Sequence, residues 1–280
     1  MKNIISIDVE GSIEGKVAIQ NNNSIYNRSK KSLDEVSYNI NVILEFLNYH
    51  NVKATFFILG SVAKDIPSLV YKIASNGHEI GSHGMHHQFL HLLPKNIVRQ
   101  HINDSKKIIE DAASKKIYGF RAPFFSINDK TLYIFDEIVD AGFKYDSSIY
   151  PISGHDLYGI SGAIKSVHKM NNGLIEMPLS VRKIMGLTLP VLGGGYFRLY
   201  PYYFNKIALK SLNASNMPGM IYLHPYELGG EYQKVNNLNV LKNIRYYHNS
   251  GATSRRRLGK LFKLYNFGTH QNYLDQLKLI

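Results

Sequence analysis

Four short motifs, far apart in the sequence, hold the side-chain types that a metal-dependent hydrolase needs. Two carboxylates, a His-x-x-x-His pair, one arginine and one late histidine could hold a metal ion and activate water against an amide. In chain order these residues are Asp8, Glu10, His83, His87, Arg121 and His224. Each motif alone is a weak signal, and it is their order along the chain that favours a hydrolase.

His83 and His87 are the candidate imidazole ligands. On a helical turn a spacing of four residues points two side chains the same way, so both could reach one ion; a surface histidine cluster is the alternative. Asp8 and Glu10 would share one face of a strand, where one carboxylate could complete the metal site and the other accept a proton from water. Alternatively, Glu10 is solvated at the start of a loop. The absence of cysteine excludes thiolate ligands.

Arg121 and His224 would support the same chemistry. Arg121 ends a predicted strand, and beside Asp8 it would keep that carboxylate ionised and oriented. The alternative is a surface salt bridge, which would contribute little to stability. His224 follows the apolar run Met220–Leu223 and could protonate a leaving amine. The alternative for His224 is a structural histidine held by hydrogen bonds.

The elements that must position these residues alternate between apolar strands and amphipathic helices. This alternation predicts a parallel α/β sheet, open or closed into a barrel, and the motifs follow the carboxyl ends of its strands. One helix is predicted over residues 32–50, with Ser32 as its N-cap and Glu35 completing a capping box. Residues 147–173, rich in glycine, serine and tyrosine, predict a long loop.

The composition is typical of one large globular domain. The chain has 280 residues, of which 44% are hydrophobic and 19% charged. Its net charge of +12 indicates either an anionic partner or compositional drift. No nucleic-acid-binding motif accompanies this charge, so nucleic acid is not an expected partner.

The two ends of the chain bear on its location. The first residues do not resemble a signal peptide, and no apolar run approaches the roughly 20 residues that a membrane span requires. We therefore expect a cytoplasmic protein, with peripheral contact at the inner face of the membrane as an option. The basic segment at residues 254–264 predicts a helix that packs on the barrel. Weak contact of this helix with an anionic membrane surface is the alternative.

Five ordered motifs resemble those of the polysaccharide deacetylases, the NodB-homology or carbohydrate esterase family 4 type. The similarity extends over nearly the whole chain, and the most similar subgroup is linked to exopolysaccharide or surface-glycan biosynthesis. The motifs are Thr-Phe-Phe-Ile-Leu-Gly at 55–60, His-Glu-Ile-Gly-Ser-His-Gly-Met-His-His at 78–87, Arg-Ala-Pro-Phe-Phe-Ser at 121–126, Tyr-Asp-Ser-Ser-Ile at 145–149 and Tyr-Leu-His-Pro at 222–225.

The resemblance implies a distorted (β/α) barrel with fewer than eight strands and a divalent metal. Zn²⁺ is the default metal, with Co²⁺, Ni²⁺ and Mn²⁺ as alternatives. The resemblance also implies a role for each site residue. Glu10, His83 and His87 would be metal ligands, Asp8 the catalytic base, Arg121 the residue that tethers the base, and His224 the catalytic acid.

Two departures from the family pattern leave roles open. Most members carry adjacent aspartates where this chain has Asp-x-Glu, so Asp8 and Glu10 could exchange their roles. The family's Asp-Trp motif, which supports the acid histidine, is also absent, because the chain has no tryptophan. Asp146 and Glu176 are therefore the candidates to orient His224.

The implied function is hydrolysis of an N-acetyl group on an amino sugar of a glycan or glycan precursor, with release of acetate. The substrate would be nucleotide-linked, lipid-linked or an oligosaccharide, and Tyr145, Tyr196, Phe197 and Tyr226 are candidates to line the sugar cleft. We expect a catalytic domain at residues 1–235 and a basic extension at 236–280. The alternatives are a deacylase acting on a formyl-sugar or cyclic amide, and an inactive glycan-binding protein.

Overall fold

The computed structural model describes residues 2–20, 22–152, 159–184, 186–233, 244 and 246–280. Its strands are β1 (Asn3–Val9), β2 (Thr55–Ile58), β3 (Glu79–Ser82), β4 (Gly119–Phe120), β5 (Tyr145–Asp146), β6 (His168–Lys169), β7 (Ile175–Glu176), β8 (Val181–Ile184), β9 (Leu187–Pro190), β10 (Met220–Leu223) and β11 (Phe267–Gly268). Strands and helices alternate along most of the chain, as the sequence predicted.

The helices lie between these strands and cover the sheet. They are α1 (Glu14–Gln20), α2 (Lys30–Tyr49), α3 (Gly60–Asp65), α4 (Pro67–Ser75), α5 (Lys95–Ala113), α6 (Ile134–Asp140), α7 (Gly194–Leu199), α8 (Tyr202–Ala214), α9 (Pro225–Gly229), α10 (Ala252–Phe262) and α11 (His270–Leu277). Two single-turn 3₁₀ helices, Leu90–Leu92 and Pro123–Phe125, lie in the connections.

The main sheet curls into a half-barrel, which confirms the predicted distorted barrel. Seven strands run parallel in the order β10-β1-β2-β3-β4-β5-β7. Two short strands extend this set to nine, because β6 adds antiparallel to β7 and β11 pairs with the first residues of β1. The prediction of fewer than eight strands therefore holds for the seven parallel strands, whereas the whole sheet has nine. Strands β8 and β9 form a separate hairpin.

Strand β1 lies between β10 and β2 in the sheet and is buried along its whole length. A parallel strand covered on both faces needs apolar side chains on both sides, which explains the run of isoleucines in its sequence. Helix α2 packs over this region through Val36, Ile40, Ile43 and Leu47, none of which is exposed to solvent. This packing fixes the end of β1, from which two of the candidate site residues project.

Helix α2 begins one turn earlier than the capping box predicted. Ser29 is its N-cap, and the Ser29 side chain accepts a hydrogen bond from the backbone N–H of Ser32. Ser32 therefore lies inside the helix. Glu35 makes no capping contact, because its carboxylate accepts hydrogen bonds from the backbone N–H and the hydroxyl of Ser12. The acidic residue that suggested a cap instead holds the loop after β1.

The C-terminal part of the chain completes the sheet and packs on it. The predicted basic helix is present as α10, and its Leu258 and Leu261 are fully buried, whereas Leu264 lies beyond the helix and is exposed. The expected boundary between residues 235 and 236 lies outside the described residues, as do residues 153–158 of the predicted long loop.

Among the described helices, none combines the length and the apolar character that crossing a lipid bilayer would demand.

Candidate active site

Glu10, His83 and His87 converge at the carboxyl end of the sheet. One ligand atom of each lies within 4.8 Å of the others, and all three residues are buried. Glu10 directly follows β1, and the histidines follow β3. The spacing of the two histidines had suggested a helical turn, but both lie on an irregular loop. Gly84 has a φ of +75° in that loop, a conformation that glycine adopts without strain.

Contacts with the start of α3 hold this loop in place. The backbone N–H of Gly60 donates to the carbonyl of Gly84 at 2.8 Å, and the N–H of Ser61 donates to Met85 at 2.9 Å. Nδ1–H of His83 donates to the backbone carbonyl of Arg121 at 2.9 Å. Nε2 of His83 is therefore left to face Glu10 and His87.

The protonation states suit metal ligands. Burial lowers the pKa of His83 to about 4, so its imidazole is neutral at pH 7. Burial alone would raise the pKa of Glu10, but the imidazoles of His87, His224 and His83 outweigh it and bring the value to about 2. Oε2 of Glu10 contacts Nε2 of His87 and lies 4.0 Å from Nε2 of His83. A carboxylate and two imidazoles thus face one point.

Asp8 is held by Arg121 in the protein interior. Nη1 of Arg121 donates to Oδ1 of Asp8 at 2.8 Å, and both side chains are almost completely buried. The guanidinium also donates to the Ser6 hydroxyl and to the hydroxyl and carbonyl of Ser147. It lies 4.2 Å above the ring of Phe57. The surface salt bridge considered from sequence is therefore excluded.

His224 pairs with Glu227, three residues further on. Nδ1–H of His224 donates to Oε2 of Glu227 at 2.8 Å, and Nε2 of His224 lies 3.7 Å from Oε1 of Glu10. Burial is the largest single influence and lowers the pKa of His224, but Glu227, Glu10 and Asp8 together outweigh it, and the pKa rises to about 9. The imidazole is therefore protonated at pH 7. Glu227 is held in turn by Nε of Arg198 at 2.5 Å.

Asp146 and Glu176 do not orient His224, contrary to the sequence-based expectation. The carboxylate of Asp146 accepts the backbone N–H and hydroxyl of Ser148, and that of Glu176 accepts the N–H of Ile149. The overlooked signal was local. Glu227 is the third residue of α9, which starts directly after His224, so the pair forms a capping box with a histidine as N-cap.

A cavity of about 440 Å³ opens onto these groups. Its wall includes the candidate residues Asp8, Glu10, His83, His87 and His224. The wall also includes Lys16, Phe124, Leu199 and Tyr246, together with Gly194 and Gly195 at the start of α7. This volume falls in the range of roughly 300–1,000 Å³ found for small-molecule sites. Lys16 and Tyr246 were not singled out from sequence, because no motif surrounds them.

The four aromatic residues predicted to line the sugar cleft divide into two pairs. Tyr196 and Tyr226 lie on the cavity wall. Tyr145 and Phe197 are fully buried and are not among the described residues that line the cavity. The structure therefore does not bring them to the cleft. The Tyr145 hydroxyl donates to Oε1 of Glu79 at 2.6 Å, and Phe197 packs in the hydrophobic core. An aromatic residue beside a motif is as readily a core residue as a sugar platform.

Two family models match the chain in succession. Residues 34–145 match the model described as polysaccharide deacetylase, and residues 147–275 match a domain of unknown function (DUF3473). The first match includes His83, His87 and Arg121. The second includes His224 and Glu227, so the candidate site draws on both.

Curated relatives share part of the sequence. A peptidoglycan-N-acetylglucosamine deacetylase of Bacillus cereus is 37% identical over 90 residues, 32% of this chain and 33% of the relative. A chitooligosaccharide deacetylase of Sinorhizobium fredii is 32% identical over 91 residues, 32% of this chain and 42% of the relative. The match thus spans between a third and about two fifths of the length of these relatives.

Solved structures share the fold over nearly the whole chain. A polysaccharide deacetylase structure from Mycobacterium smegmatis superposes with a TM-score of 0.59 at 17% identity, covering 99% of this chain and 91% of the other. Puue allantoinase superposes with a TM-score of 0.63 at 14% identity, covering 96% and 87%. At these identities the similarity establishes the fold alone.

Proposed function

We propose, from the match of residues 34–145 to the polysaccharide deacetylase model, that this chain is a metal-dependent hydrolase which removes an N-acetyl group from an amino sugar. The substrate is a glycan or glycan precursor that contains N-acetylglucosamine, as the names of the curated relatives suggest. The observation that carries this proposal is the convergence of Glu10, His83 and His87 on one wall of a cavity.

The donor set of the site fits a divalent metal. Two imidazoles and one carboxylate are the ligands of many catalytic zinc sites, and they leave coordination positions for water and substrate. The hydrogen bond from His83 to a backbone carbonyl fixes the ring tautomer, as is usual for metal-binding histidines. We propose Zn²⁺ as the metal, held by Glu10, His83 and His87. When bound, it would polarise the acetyl carbonyl and lower the pKa of the attacking water.

The remaining side chains would move the protons. Among the described residues only Arg121 donates to Asp8, at Oδ1, so Oδ2 is available to accept a proton from the attacking water. The hydrogen bond from Arg121 fixes the orientation of the Asp8 carboxylate for this step. Nε2–H of His224 then protonates the leaving amine, and Glu227 holds the imidazole with Nε2 towards the cavity. Tyr196 and Tyr226 contact the sugar.

The proposal also covers the division of the chain into a catalytic domain and a C-terminal extension. We propose residues 1–235 as the catalytic domain and residues 236–280 as a basic extension. The extension supports the barrel directly, since β11 pairs with β1 and α11 places His270 against Arg121.

Acetate release and metal content test the proposed function together. Wild type is incubated with N-acetylglucosamine oligosaccharides and with nucleotide-linked N-acetylamino sugars, and compared with a His83→Ala/His87→Ala double variant. A His168→Ala variant, whose histidine lies outside the described cavity wall, is the matched control. We expect near-stoichiometric metal and acetate release for wild type and His168→Ala only. Wild type that binds no metal after reconstitution would indicate an inactive binding scaffold.

A further inference from the structure

Lys16 is a buried cation on the wall of the cavity. It lies on α1 with only 5% of its surface exposed. Nζ of Lys16 donates to the hydroxyl of Tyr247 at 2.5 Å. It also lies 4.7 Å from the ring centre of Tyr246 and 4.3 Å from that of Tyr247. The aromatic rings place the ammonium group without neutralising its charge.

The other charges on the described cavity wall are paired, whereas Lys16 is not. Arg121 pairs with Asp8, and Arg198 pairs with Glu227. In the part of the chain that the structure describes, no carboxylate lies within 4.0 Å of Nζ of Lys16. A buried ammonium group is costly unless an anion accompanies it. The wall therefore offers one cation to a ligand.

The charges around Lys16 leave it protonated at pH 7. Burial lowers its pKa most, the more distant Glu35 and Glu10 raise it, and Arg198 lowers it, to a value of about 8. Glu35 accepts hydrogen bonds from Ser12, so it is already engaged. An anion bound at Nζ would favour the charged form further.

A buried ion pair fixes the helix that carries Lys16. Glu14, at the start of α1, accepts hydrogen bonds from Nε of Arg28 at 2.8 Å and from the backbone N–H of Gly11 at 2.7 Å. Both Glu14 and Arg28 have side chains at most 3% exposed. The segment between Glu10 and Lys16 is therefore held rigidly, and the ammonium group has a defined position relative to Glu10.

We propose that Lys16 binds an anionic substituent of the sugar, a carboxylate or a phosphate, so that the protein acts on acidic amino sugars in preference to neutral ones. This inference rests on the proposed function and narrows its substrate class.

Three matched oligosaccharides test the proposal. They are a neutral N-acetylglucosamine oligomer, the same oligomer with C6 oxidised to a carboxylate, and the same oligomer with a 6-phosphate. Acetate release is measured for wild type, Lys16→Met, which keeps the apolar stem, and Lys31→Met, which removes an exposed lysine on α2. Thermal unfolding checks that each variant folds.

We expect wild type to favour one anionic oligomer over the neutral one by about tenfold or more in kcat/KM, since a hydrogen bond to a charged group has this magnitude. The larger of the two ratios identifies the anion. Lys16→Met should reduce that ratio about tenfold through KM, whereas Lys31→Met should keep it. Equal kcat/KM for all three oligomers with wild type, or an unchanged ratio in Lys16→Met, would overturn the proposal.

Failure of the proposed function would look different. In that case wild type would release acetate from none of the oligomers. Calorimetric binding of the three oligomers to wild type and to Lys16→Met would then still test the anion site. Tighter binding of an acidic oligomer that depends on Lys16 would support it, and equal affinities would refute it. The wild-type comparison needs no variant, so it remains decisive even where Lys16→Met is unstable.

Discussion

Asp8 and Glu10 are two residues apart, yet their surroundings are different. Arg121 donates to Asp8, whereas Glu10 faces the imidazoles of His83 and His87. These contacts favour Asp8 as the base and Glu10 as the ligand, the assignment that the sequence left open because the chain has Asp-x-Glu in place of adjacent aspartates.

Replacing each carboxylate separately distinguishes the two roles. In Asp8→Asn we expect kcat to fall about 100- to 10,000-fold with metal content unchanged, since only the proton acceptor is lost. In Glu10→Gln we expect metal to be lost together with activity. Metal analysis and acetate release on the same preparations give both quantities. Metal loss in Asp8→Asn with metal retained in Glu10→Gln would show that the roles are exchanged.

The pKa of His224 is predicted to depend on Glu227. In the metal-free protein His224 should titrate near pH 9, and in Glu227→Gln its midpoint should move down towards 6.5. Because the folded-state pKa is raised, this interaction stabilises the fold fully below about pH 6.5, and the contribution is lost as pH rises through 9. NMR of the imidazole protons measures the midpoint. Glu231→Gln, which alters an exposed carboxylate nearby, should leave it unchanged.

The sequence predicted the six motif residues because each lies in a short ordered pattern. Lys16 was not predictable in this way, since its role depends on burial and on Tyr246 and Tyr247, which are more than 200 residues away. Tyr145 shows the converse error. Tyr145 was predicted to line the sugar cleft, but its hydroxyl donates a hydrogen bond to Glu79 in the interior.

Among the secondary-structure elements, α11 contacts the candidate active site through Arg121. His270, its first residue, stacks on Tyr145 and accepts a hydrogen bond from Nη2 of Arg121 at 3.4 Å through Nε2. Burial, together with the Arg121 cation, lowers the pKa of His270 well below its usual range, so the ring is neutral. Its Nδ1–H then donates to the hydroxyl of Thr55 at 3.0 Å. The C-terminal helix therefore contributes to the placement of Arg121.

Replacing His270 by phenylalanine should separate this polar contact from packing. His270→Phe keeps an aromatic ring against Tyr145 but leaves Nη2 of Arg121 with one acceptor fewer. We expect the free energy of unfolding to fall by about 1–3 kcal/mol, measured by urea denaturation. His168→Phe, on a half-buried short strand, should change it by less than about 0.5 kcal/mol. Equal effects of the two changes would contradict a role for His270.

The predicted elements agree with the structure where the pattern is long and local. Helix α2 has 20 residues, and its predicted end at residue 50 was correct to within one residue. Strand β11 has only two residues, and its pairing with Asn3 and Ile4 is set by a partner at the other end of the chain. No local periodicity predicts such a contact. Helix α2 starts earlier than predicted for a local reason, because Ser29 and not Ser32 occupies the N-cap position.

For the whole molecule, metal binding should raise thermal stability. At a free metal concentration 100 times Kd the fold gains about 2.7 kcal/mol, because ligand residues from distant segments are joined only in the native state. Chelation should therefore lower Tm by several degrees, at about 2–4 °C per kcal/mol for a chain of this size. Differential scanning calorimetry with and without chelator measures this. The His83→Ala/His87→Ala variant should show no shift, and an equal shift in both proteins would argue against this site.

The pairing of β11 with β1 has a consequence for synthesis of the protein. Asn3 and its partner Phe267 lie 264 positions apart in the sequence. At about 5–20 residues per second, a ribosome needs tens of seconds to make the chain between them. During that time the first residues of β1 lack β11 as a neighbour and present unpaired backbone groups to other nascent chains. We therefore expect this protein to complete its sheet only late in translation, and to need protection from aggregation until then.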